Sequence, residues 1–283
     1  MTLCAVVTGG SSNIGQGTAI VLAEHGYDVA ITYAKNKAGA NKTKQQIESL
    51  GRRCFVYKAH LQNPDEVVEM IHRAYDDLGR LDCLVCNAGR ESRKSILTTT
   101  VEELDFLYDN TLRNYLLCIG TASRIMVKEK IQGSIVMMTS MRARVAHSDG
   151  FLYSSFKAAM EQGCKSIALD LSEFNIRVNC VAPGAIWPPD WDNAFIRESI
   201  PLHRSGTPRD VGEAVAFLAG EKSSYITGTT ILVDGGLSLP VLLEQDKAIP
   251  WKYEGWSEQR YEEAMELLEK EKDSLIRKRK GSE

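Results

Sequence analysis

The sequence predicts an α/β protein in which a doubly wound parallel sheet lies between two layers of helices. Three observations support this class. Short runs rich in β-branched residues alternate with longer segments of helical periodicity. The runs are apolar throughout and few hairpin turns separate them, which is typical of parallel strands buried on both faces. A glycine-rich turn joins the first run to the first helical segment.

Seven runs are predicted as strands, with helical segments between successive runs. In an open sheet of this kind, ligands bind beyond the carboxyl ends of the strands, where the strand order reverses. The turns that follow the first, fourth and fifth strands are therefore expected to surround one crevice. The predicted strands are residues 3–7, 28–33, 54–58, 83–86, 134–139, 177–182 and 230–233.

The composition is that of an ordinary globular chain. The 283 residues carry a formal net charge of −3, and 43% of them are hydrophobic, so bulk charge favours neither nucleic acid nor an anionic membrane as a partner. The apolar runs fall short of the roughly 18 residues that a membrane span needs, and the position of the first strand leaves no room for a signal peptide. We expect a cytoplasmic protein with a small-molecule partner.

The seven cysteines lie mostly within apolar stretches, which indicates reduced, buried thiols rather than a disulfide framework. Cys83 and Cys86 form a CxxC motif inside a predicted strand. Residues three apart on a strand point to opposite faces, so these two sulfurs are not expected to share a metal or to close a disulfide. No metal site is predicted.

The first turn is suited to bind a pyrophosphate. Backbone N–H groups reach phosphate oxygens only where side chains are small and one residue tolerates positive φ. Asn13 interrupts the turn, but asparagine enters the left-handed region readily, and its amide can cap the helix that begins near Ile14. A strand-to-helix turn without a ligand is the alternative. The predicted phosphate contacts are Gly9, Ser11, Ser12, Asn13, Ile14 and Gly15.

The end of the second strand bears on the choice of dinucleotide. An acidic residue there would accept hydrogen bonds from the ribose hydroxyls of NAD and would repel a 2′-phosphate. Tyr33 occupies that position instead, and Lys35 and Lys37 follow it. The pattern favours NADP(H) over NAD(H), with Tyr33 and Lys35 as contacts. The alternative is that the lysines merely face solvent, which would leave the preference open.

Tyr153 and Lys157 carry the strongest chemical signal. Residues four apart on a helix share a face, so the Lys157 ammonium is expected near the Tyr153 phenol. A nearby cation together with an oxidised nicotinamide would lower the phenol pKa from its usual value near 10, so that Tyr153 serves as an acid/base at neutral pH. Ser140, at the end of the fifth strand, is placed to donate a hydrogen bond to a substrate oxygen.

Taken together, these residues resemble the short-chain dehydrogenase/reductase family over about residues 3–236. The features that match in type, order and spacing are the glycine turn at 8–15, Asn87-Ala88-Gly89, Ser140 ahead of Tyr153 and Lys157, and Arg177-Val178-Asn179 leading into Pro183-Gly184. The resemblance implies a single Rossmann-type catalytic domain over residues 1–239 and an NAD(P)-dependent oxidoreductase.

The resemblance also implies roles for individual residues. In that family a tyrosine is the acid/base, a lysine binds the nicotinamide ribose and lowers the tyrosine pKa, and a serine orients the substrate. These roles carry over to Tyr153, Lys157 and Ser140. Further cofactor contacts implied by the resemblance are His60, Leu61, Asn87, Ala88, Gly89, Pro183, Gly184 and Ile186.

The chain departs from the family pattern around the cofactor. Besides Asn13, Cys86 replaces the first asparagine of the family's NNAG turn, and His60 stands where an acid commonly contacts adenine. Pro188 replaces a threonine that touches the nicotinamide amide, and proline lacks both a hydroxyl and an N–H. The backbone of Ile186 is therefore expected to help orient the cofactor.

The fourth catalytic position of the family also differs. It usually holds an asparagine that binds a proton-relay water, and here it aligns with Thr111, preceded by Asn110. Either the Thr111 hydroxyl holds the water or Asn110 substitutes after a small helix shift.

Substrate recognition is expected to fall to the loops after Gly89, Ser140 and Gly184. The first two loops carry arginines, and Arg142 is the candidate to meet an anionic group, since a guanidinium matches carboxylate and phosphate. A solvated or subunit-contact face is the alternative. The third loop has an apolar lining suited to a ring or hydrocarbon skeleton, from Trp187, Pro188, Pro189, Trp191 and Phe195.

Residues 240–283 form a charged extension beyond the dinucleotide-binding domain. Within it, residues 258–278 have helical composition with charge pairs four residues apart. The extension is expected either to fold over an active-site mouth or to remain a solvated appendage. Members of the family are commonly built as dimers or tetramers through helix pairs, so a homodimer or homotetramer is expected.

Three functions stay open on the sequence. The leading one is an NADP(H)-dependent interconversion of a carbonyl and a secondary alcohol on a ring-bearing small molecule, such as a sugar, a steroid or another cyclic alcohol. The second is the reduction of a 3-oxoacyl chain on an acyl carrier. The third is a non-catalytic dinucleotide sensor, against which the retained Ser140, Tyr153 and Lys157 argue.

Overall fold

One parallel sheet forms the centre of the protein. The computed structural model describes residues 2–187, 198–239 and 258–280. Within these ranges the sheet contains β1 (Cys4–Val7), β2 (Asp28–Tyr33), β3 (Cys54–Lys58), β4 (Cys83–Cys86), β5 (Ser134–Met138), β6 (Arg177–Pro183) and β7 (Thr230–Val233). The strand order is β3-β2-β1-β4-β5-β6-β7 and every pairing is parallel. The prediction of a doubly wound α/β sheet is confirmed.

Helices cover both faces of the sheet and produce the three predicted layers. The helices of the described ranges are α1 (Asn13–Glu24), α2 (Lys37–Ser49), α3 (Pro64–Leu78), α4 (Val101–Leu107), α5 (Asn114–Lys128), α6 (Phe151–Ser172), α7 (Pro208–Ala219) and α8 (Glu258–Lys280), with a π-helical turn, Tyr108–Arg113, before α5. One apolar core lies beneath α3, α5 and α6 and contains Ile71, Ile119 and Met160. The other lies beneath α1, α2 and α7 and contains Leu22 and Ile47.

Successive side chains of the strands enter opposite cores. On β1, Val6 packs into the core beneath α3, α5 and α6, whereas Val7 packs into the other core. The same alternation separates Cys86 from Cys83, which confirms that this CxxC motif is part of a strand with its sulfurs on opposite faces. All seven cysteines are buried and free of disulfides.

Local sequence signals determine where several helices begin. The Thr100 hydroxyl accepts a hydrogen bond from the Glu103 N–H at 3.3 Å, and the Glu103 carboxylate accepts one from the Thr100 N–H, which forms a capping box at the start of α4. Thr207 and Asp210 form the same arrangement at α7. These caps satisfy N–H groups that would otherwise lack an acceptor in the first turn.

The segment after β7 ends in a long charged helix. Helix α8 begins at Glu258 as predicted and ends at Lys280, two residues beyond the predicted end. Its Ala264 is buried, while Tyr261 and Leu268 are exposed. The domain boundary at residues 239 and 240 stays a prediction. Across the described ranges, none of the helices combines the length and apolar character that crossing a bilayer requires.

Candidate active site

A crevice of about 230 Å³ opens at the carboxyl edge of the sheet, around the ends of β4, β5 and β6 and the start of α1. It lies where the strand order reverses, which is where the sequence predicts ligands to bind. Glu91, Met138 and Thr139 line it although no role is predicted for them. The full lining is Ile14, Asn87, Gly89, Arg90, Glu91, Met138, Thr139, Ser140, Tyr153, Lys157, Pro183 and Gly184.

The glycine turn adopts the conformation that phosphate binding requires. Gly9 has φ +72° and Asn13 has φ +46°, so asparagine does occupy a left-handed position in the turn. The expected cap by the Asn13 amide is wrong, because Asn13 is already the first residue of α1 and Ser12 is the N-cap residue. The Ser12 side chain makes no capping hydrogen bond. The first N–H groups of α1 are therefore left for another acceptor.

The turn is locked to the end of β4 through Thr8 and Asn87. The Thr8 hydroxyl oxygen accepts hydrogen bonds from the N–H groups of Asn87 at 2.9 Å and Ala88 at 3.0 Å, and the Asn87 amide donates to the Thr8 carbonyl at 2.9 Å. A Cβ on Gly15 would lie 2.2 Å from the Gly9 carbonyl oxygen and 2.5 Å from the Asn87 amide nitrogen. Only glycine fits at position 15.

A second support comes from the start of α2, and sequence reasoning missed it. The Asn36 amide donates to the Ser11 carbonyl at 3.2 Å, and the Thr43 hydroxyl donates to the Gly10 carbonyl at 2.9 Å. Both residues are more than 20 positions away from the turn in the sequence, so no local motif predicts these contacts. Together they hold two carbonyl groups of the turn in place.

The residues predicted for the adenosine end lie after β2 and β3. Tyr33 ends β2 and is half-buried, and Lys35 is exposed. His60 and Leu61 are half-buried directly beyond β3, and the His60 N–H donates to a Glu66 carboxylate oxygen at 2.8 Å. All four lie at the same edge of the sheet as the glycine turn, since parallel strands share one carboxyl edge.

These features fit a dinucleotide. The uncapped start of α1 offers N–H groups to a pyrophosphate. Ile14 borders the crevice at that end, and Tyr153 and Lys157 border it at the other. Position 15 of the turn requires glycine, because a Cβ there would collide with the Gly9 carbonyl oxygen. The residues that could hold the cofactor are thus continuous from the phosphate site to the reactive side chains.

Ser140, Tyr153 and Lys157 come together at the end of β5. Tyr153 and Lys157 lie one turn apart on α6, with the Lys157 Nζ 5.6 Å from the centroid of the Tyr153 ring. Nζ donates a hydrogen bond to the Met138 carbonyl on β5 at 2.7 Å. Tyr153 is hydrogen-bonded to Ser140, whose hydroxyl oxygen also accepts the Arg142 N–H at 3.2 Å.

The protein alone does not lower the pKa of Tyr153, so the expected lowering by a cation together with an oxidised nicotinamide stays a prediction. Burial raises that pKa above its ordinary value, and the hydrogen bond from Ser140 offsets only part of the increase. Lys157 does not contribute to the lowering, and burial reduces its own pKa from 10.5 to about 8. The physical reason is that both groups are desolvated in the same apolar region, which penalises each charged form.

Thr111 lies in the π-helical turn that precedes α5. Its side chain is fully buried, and its hydroxyl donates to the Arg90 carbonyl at 3.4 Å. The Asn110 amide donates to the Phe106 carbonyl at 2.8 Å, so that side chain bonds to its own helix. The backbone carbonyl oxygen of Asn110 lies near Gly89, since a Cβ on Gly89 would be 3.9 Å from it. The predicted relay role of Thr111 stays a prediction.

Arg142 is paired within the protein. Its guanidinium forms an ion pair with Glu91, which Arg93 also contacts at 3.2 Å. Burial raises the pKa of the Glu91 carboxyl, but hydrogen bonds from the two arginines more than offset this and hold it below its usual range. Glu91 therefore already compensates the charge of Arg142 beside the crevice, and the expected contact of Arg142 with a substrate anion stays a prediction.

The loop after β6 is described as far as Trp187. Pro183 and Gly184 line the crevice. Ile186 is buried and pairs with Gly206, and the Trp187 N–H donates to the Gly206 carbonyl at 2.9 Å. The remaining predicted residues of this loop, including Pro188, Trp191 and Phe195, lie outside the described residues.

Comparisons with known proteins agree with this geometry. The family model described as enoyl-(acyl carrier protein) reductase matches residues 9–238. The 3-oxoacyl-[acyl-carrier-protein] reductase FabG of Staphylococcus epidermidis is 36% identical over 244 residues, which cover 84% of this chain and 99% of that protein. The chain therefore belongs to the short-chain dehydrogenase/reductase family and is an oxidoreductase of that type.

Solved structures show the same fold. The acetoin dehydrogenase of Enterobacter cloacae superimposes with a TM-score of 0.82 at 33% identity, covering 87% of this chain and 99% of that one. A blue fluorescent protein from a metagenomic library, solved in complex with NADPH, superimposes with a TM-score of 0.76 at 30% identity, covering 83% and 97%.

Proposed function

We propose that the protein moves hydride reversibly between NADP(H) and a carbonyl/secondary-alcohol pair on a small molecule, with Tyr153 as the acid/base. The observation that carries this proposal is the convergence of the Ser140 hydroxyl, the Tyr153 phenol and the Lys157 ammonium in one crevice with the glycine turn. A protein that only senses a dinucleotide has no need of a buried phenol beside a buried amine.

Each residue has a defined task in this proposal. Ser140 donates a hydrogen bond to the substrate oxygen, and Tyr153 transfers its proton to that oxygen as the carbonyl is reduced. Burial keeps the pKa of Tyr153 above its ordinary value, so the phenol is protonated at neutral pH and suited to act as the acid. Lys157 donates one N–H to the Met138 carbonyl, and its two other N–H groups can donate to a ribose hydroxyl. When bound, the nicotinamide supplies the hydride.

The choice of NADP(H) is supported by the residues after β2. No carboxylate that would repel a 2′-phosphate occurs at Tyr33, Ala34 or Lys35, where β2 ends. The Lys35 side chain is exposed at the carboxyl edge of the sheet. Lys35→Glu is expected to raise the Kd for NADPH about tenfold or more while leaving the Kd for NADH within about twofold. Lys128→Glu, at the end of α5, makes the same charge change away from the crevice and serves as the control.

A ring-bearing neutral ketone is the substrate class that we propose first. The ion pair between Glu91 and Arg142 leaves the crevice beside Tyr153 without a net charge from that pair. Trp187 follows the crevice-lining Pro183 and Gly184 in the chain, and its indole suits an apolar substrate. The second candidate is a 3-oxoacyl thioester, which the 36% identity to a 3-oxoacyl reductase favours.

We also propose a homodimer or homotetramer. Large apolar side chains are exposed along α4 to α6, where Phe106 is 49%, Leu116 45% and Phe151 51% exposed. Exposed apolar side chains in such number are typical of a surface that another subunit covers. Light scattering coupled to size-exclusion chromatography measures the state, and a monomer at micromolar concentration would contradict the proposal.

The experiment that tests the function combines binding with turnover. NADPH and NADH are titrated by fluorescence, and oxidation of NADPH is followed with cyclic ketones, acetoin and a 3-oxoacyl thioester. Tyr153→Phe is expected to reduce kcat by at least a hundredfold with little change in NADPH binding. Tyr75→Phe, on α3 and outside the crevice, is the control. NADPH binding without turnover on any of these substrates would support a sensor instead.

A further inference from the structure

Lys157 is a buried cation with few polar partners. Its side chain is 4% exposed, and Nζ donates a hydrogen bond to the Met138 carbonyl at 2.7 Å. Two aromatic rings lie close to the ammonium: the centroid of Tyr115 at 5.1 Å and that of Tyr153 at 5.6 Å. Tyr153 is engaged with Ser140 and borders the crevice. Tyr115 is the nearer ring and has no role assigned to it.

Tyr115 is held rigidly beneath the amine. It lies in the first turn of α5 and is 0% exposed. Its hydroxyl donates to the Met138 carbonyl at 3.2 Å, so one carbonyl oxygen accepts from both Tyr115 and Lys157. Complete burial of the ring holds Tyr115 beside Nζ. A cation that lies over an aromatic face in a desolvated site is stabilised by the ring quadrupole.

The other groups around Lys157 cannot replace this stabilisation. The titratable groups that act on it from the sheet are the thiols of Cys86 on β4 and Cys180 on β6. Burial and hydrogen bonds to neighbouring thiols hold the pKa of both well above the ordinary range, so both are neutral. The charged groups Glu91 and Arg142 act on Tyr153 from the loops and are paired with each other.

We propose that Tyr115 is a positioning residue whose ring face keeps the Lys157 ammonium charged. The proposal rests on the role assigned above to Lys157, namely that the charged amine holds the nicotinamide ribose beside Tyr153. Tyr115 touches neither cofactor nor substrate in this arrangement. It acts through Lys157 alone.

The protonation of Lys157 can be measured without turnover. Protein labelled with ¹³C at lysine Cε is titrated by NMR in the absence of dinucleotide, and the Lys157 resonance is assigned by its loss in Lys157→Met. Tyr115→Leu, which removes the ring, is expected to lower the Lys157 pKa by about one pH unit or more. Tyr115→Phe, which keeps the ring, is the matched control and is expected to stay within about 0.3 unit of the parent value.

A fluorinated series keeps the test valid if Tyr115→Leu fails to fold. Phenylalanine with one, two or three ring fluorines at position 115 conserves shape while it weakens the negative face of the ring. The Lys157 pKa is expected to fall stepwise along this series. An unchanged titration in both the leucine variant and the fluorinated series would overturn the proposal.

The kinetic readout separates this inference from the proposed function. In Tyr115→Leu the upper limb of the pH profile of kcat is expected to move to lower pH, and the KM for NADPH at pH 8 to rise about fivefold or more, because a neutral amine binds the ribose less well. If Tyr115→Leu lowers the Lys157 pKa but the parent protein shows no turnover, the positioning role is upheld and the proposed function is refuted. If the parent protein turns over and Tyr115→Leu leaves the Lys157 pKa unaltered, the proposed function is upheld and the positioning role is refuted.

Discussion

Replacing Lys157 by methionine is expected to stabilise the cofactor-free protein even though it abolishes the proposed reaction. Burial lowers the Lys157 pKa from 10.5 to about 8, which means that the folded state disfavours the charged amine. At about 1.36 kcal/mol per pH unit, keeping the amine protonated in the fold at pH 7 costs about 3 kcal/mol. Methionine has a similar length and no charge, so it removes this cost while filling the site.

The sign of the pH dependence follows from the lowered pKa. Between pH 8 and 10.5 the unfolded chain binds more protons at Lys157 than the folded protein does, so the free energy of unfolding rises with pH through this window. The destabilisation is fully present below the folded pKa and is lost as the pH approaches the unfolded value. The advantage of Lys157→Met is therefore expected to shrink from about 3 kcal/mol at pH 7 to about 1.4 kcal/mol at pH 9.5.

Urea unfolding of both proteins at pH 7 and pH 9.5, without dinucleotide, measures this difference. Other groups titrate equally in the two proteins. The pH dependence of the difference between their free energies of unfolding therefore reports Lys157 alone. The Met138 carbonyl keeps the Tyr115 hydroxyl as a donor in the variant, which limits the loss from the missing amine. A variant that is less stable than the parent at pH 7, or a difference independent of pH, would refute the reasoning.

Two further changes test the crevice. Gly15→Ala places a methyl group 2.2 Å from the Gly9 carbonyl, so the turn must shift and the Kd for NADPH, measured by fluorescence, is expected to rise at least tenfold. Gly17→Ala is the control, because its methyl group would lie 2.5 Å from Pro208 rather than in the turn. It should lower the Tm without changing the Kd for NADPH. Equal Kd values for the two variants would contradict the argument. Glu91→Gln frees the Arg142 charge and removes a carboxylate that raises the pKa of Tyr153. The KM for anionic ketones, relative to neutral ones, should fall several-fold and the phenol pKa in the pH profile should decrease; an unaltered KM ratio would count against this role of the ion pair.

The strands could be predicted almost residue for residue because each is a short apolar run that ends at a turn signal. The predicted 28–33 and 83–86 coincide with β2 and β4, while β5 ends one residue earlier than predicted and β6 one residue later. The convergence of Ser140, Tyr153 and Lys157 was also predictable. Their spacing along β5 and α6 places them at one edge once the strands are parallel.

Contacts between residues far apart in the chain could not be predicted from the sequence. The pairing of Arg142 with Glu91 joins loops 51 residues apart, and a list of arginines in sequence does not show which of them meets a carboxylate. The direction in which the protein alone shifts the pKa of Tyr153 was not evident either, because burial of the Tyr153 and Lys157 side chains decides it. Desolvation depends on everything packed around a group, and this is invisible in the spacing of two residues on a helix.

The sequence by itself determined the succession of strands and helices along the chain, the glycine turn and the reactive side chains of an oxidoreductase. These features depend on local periodicity, on turn chemistry and on the spacing of residues. Only the tertiary structure decided how those side chains are charged and held. Tyr115 and the Met138 carbonyl meet Lys157 from different elements, and Glu91 pairs with Arg142 beside the crevice. The physical reason is that electrostatics in a buried site depends on distance and solvent exclusion, and packing sets both.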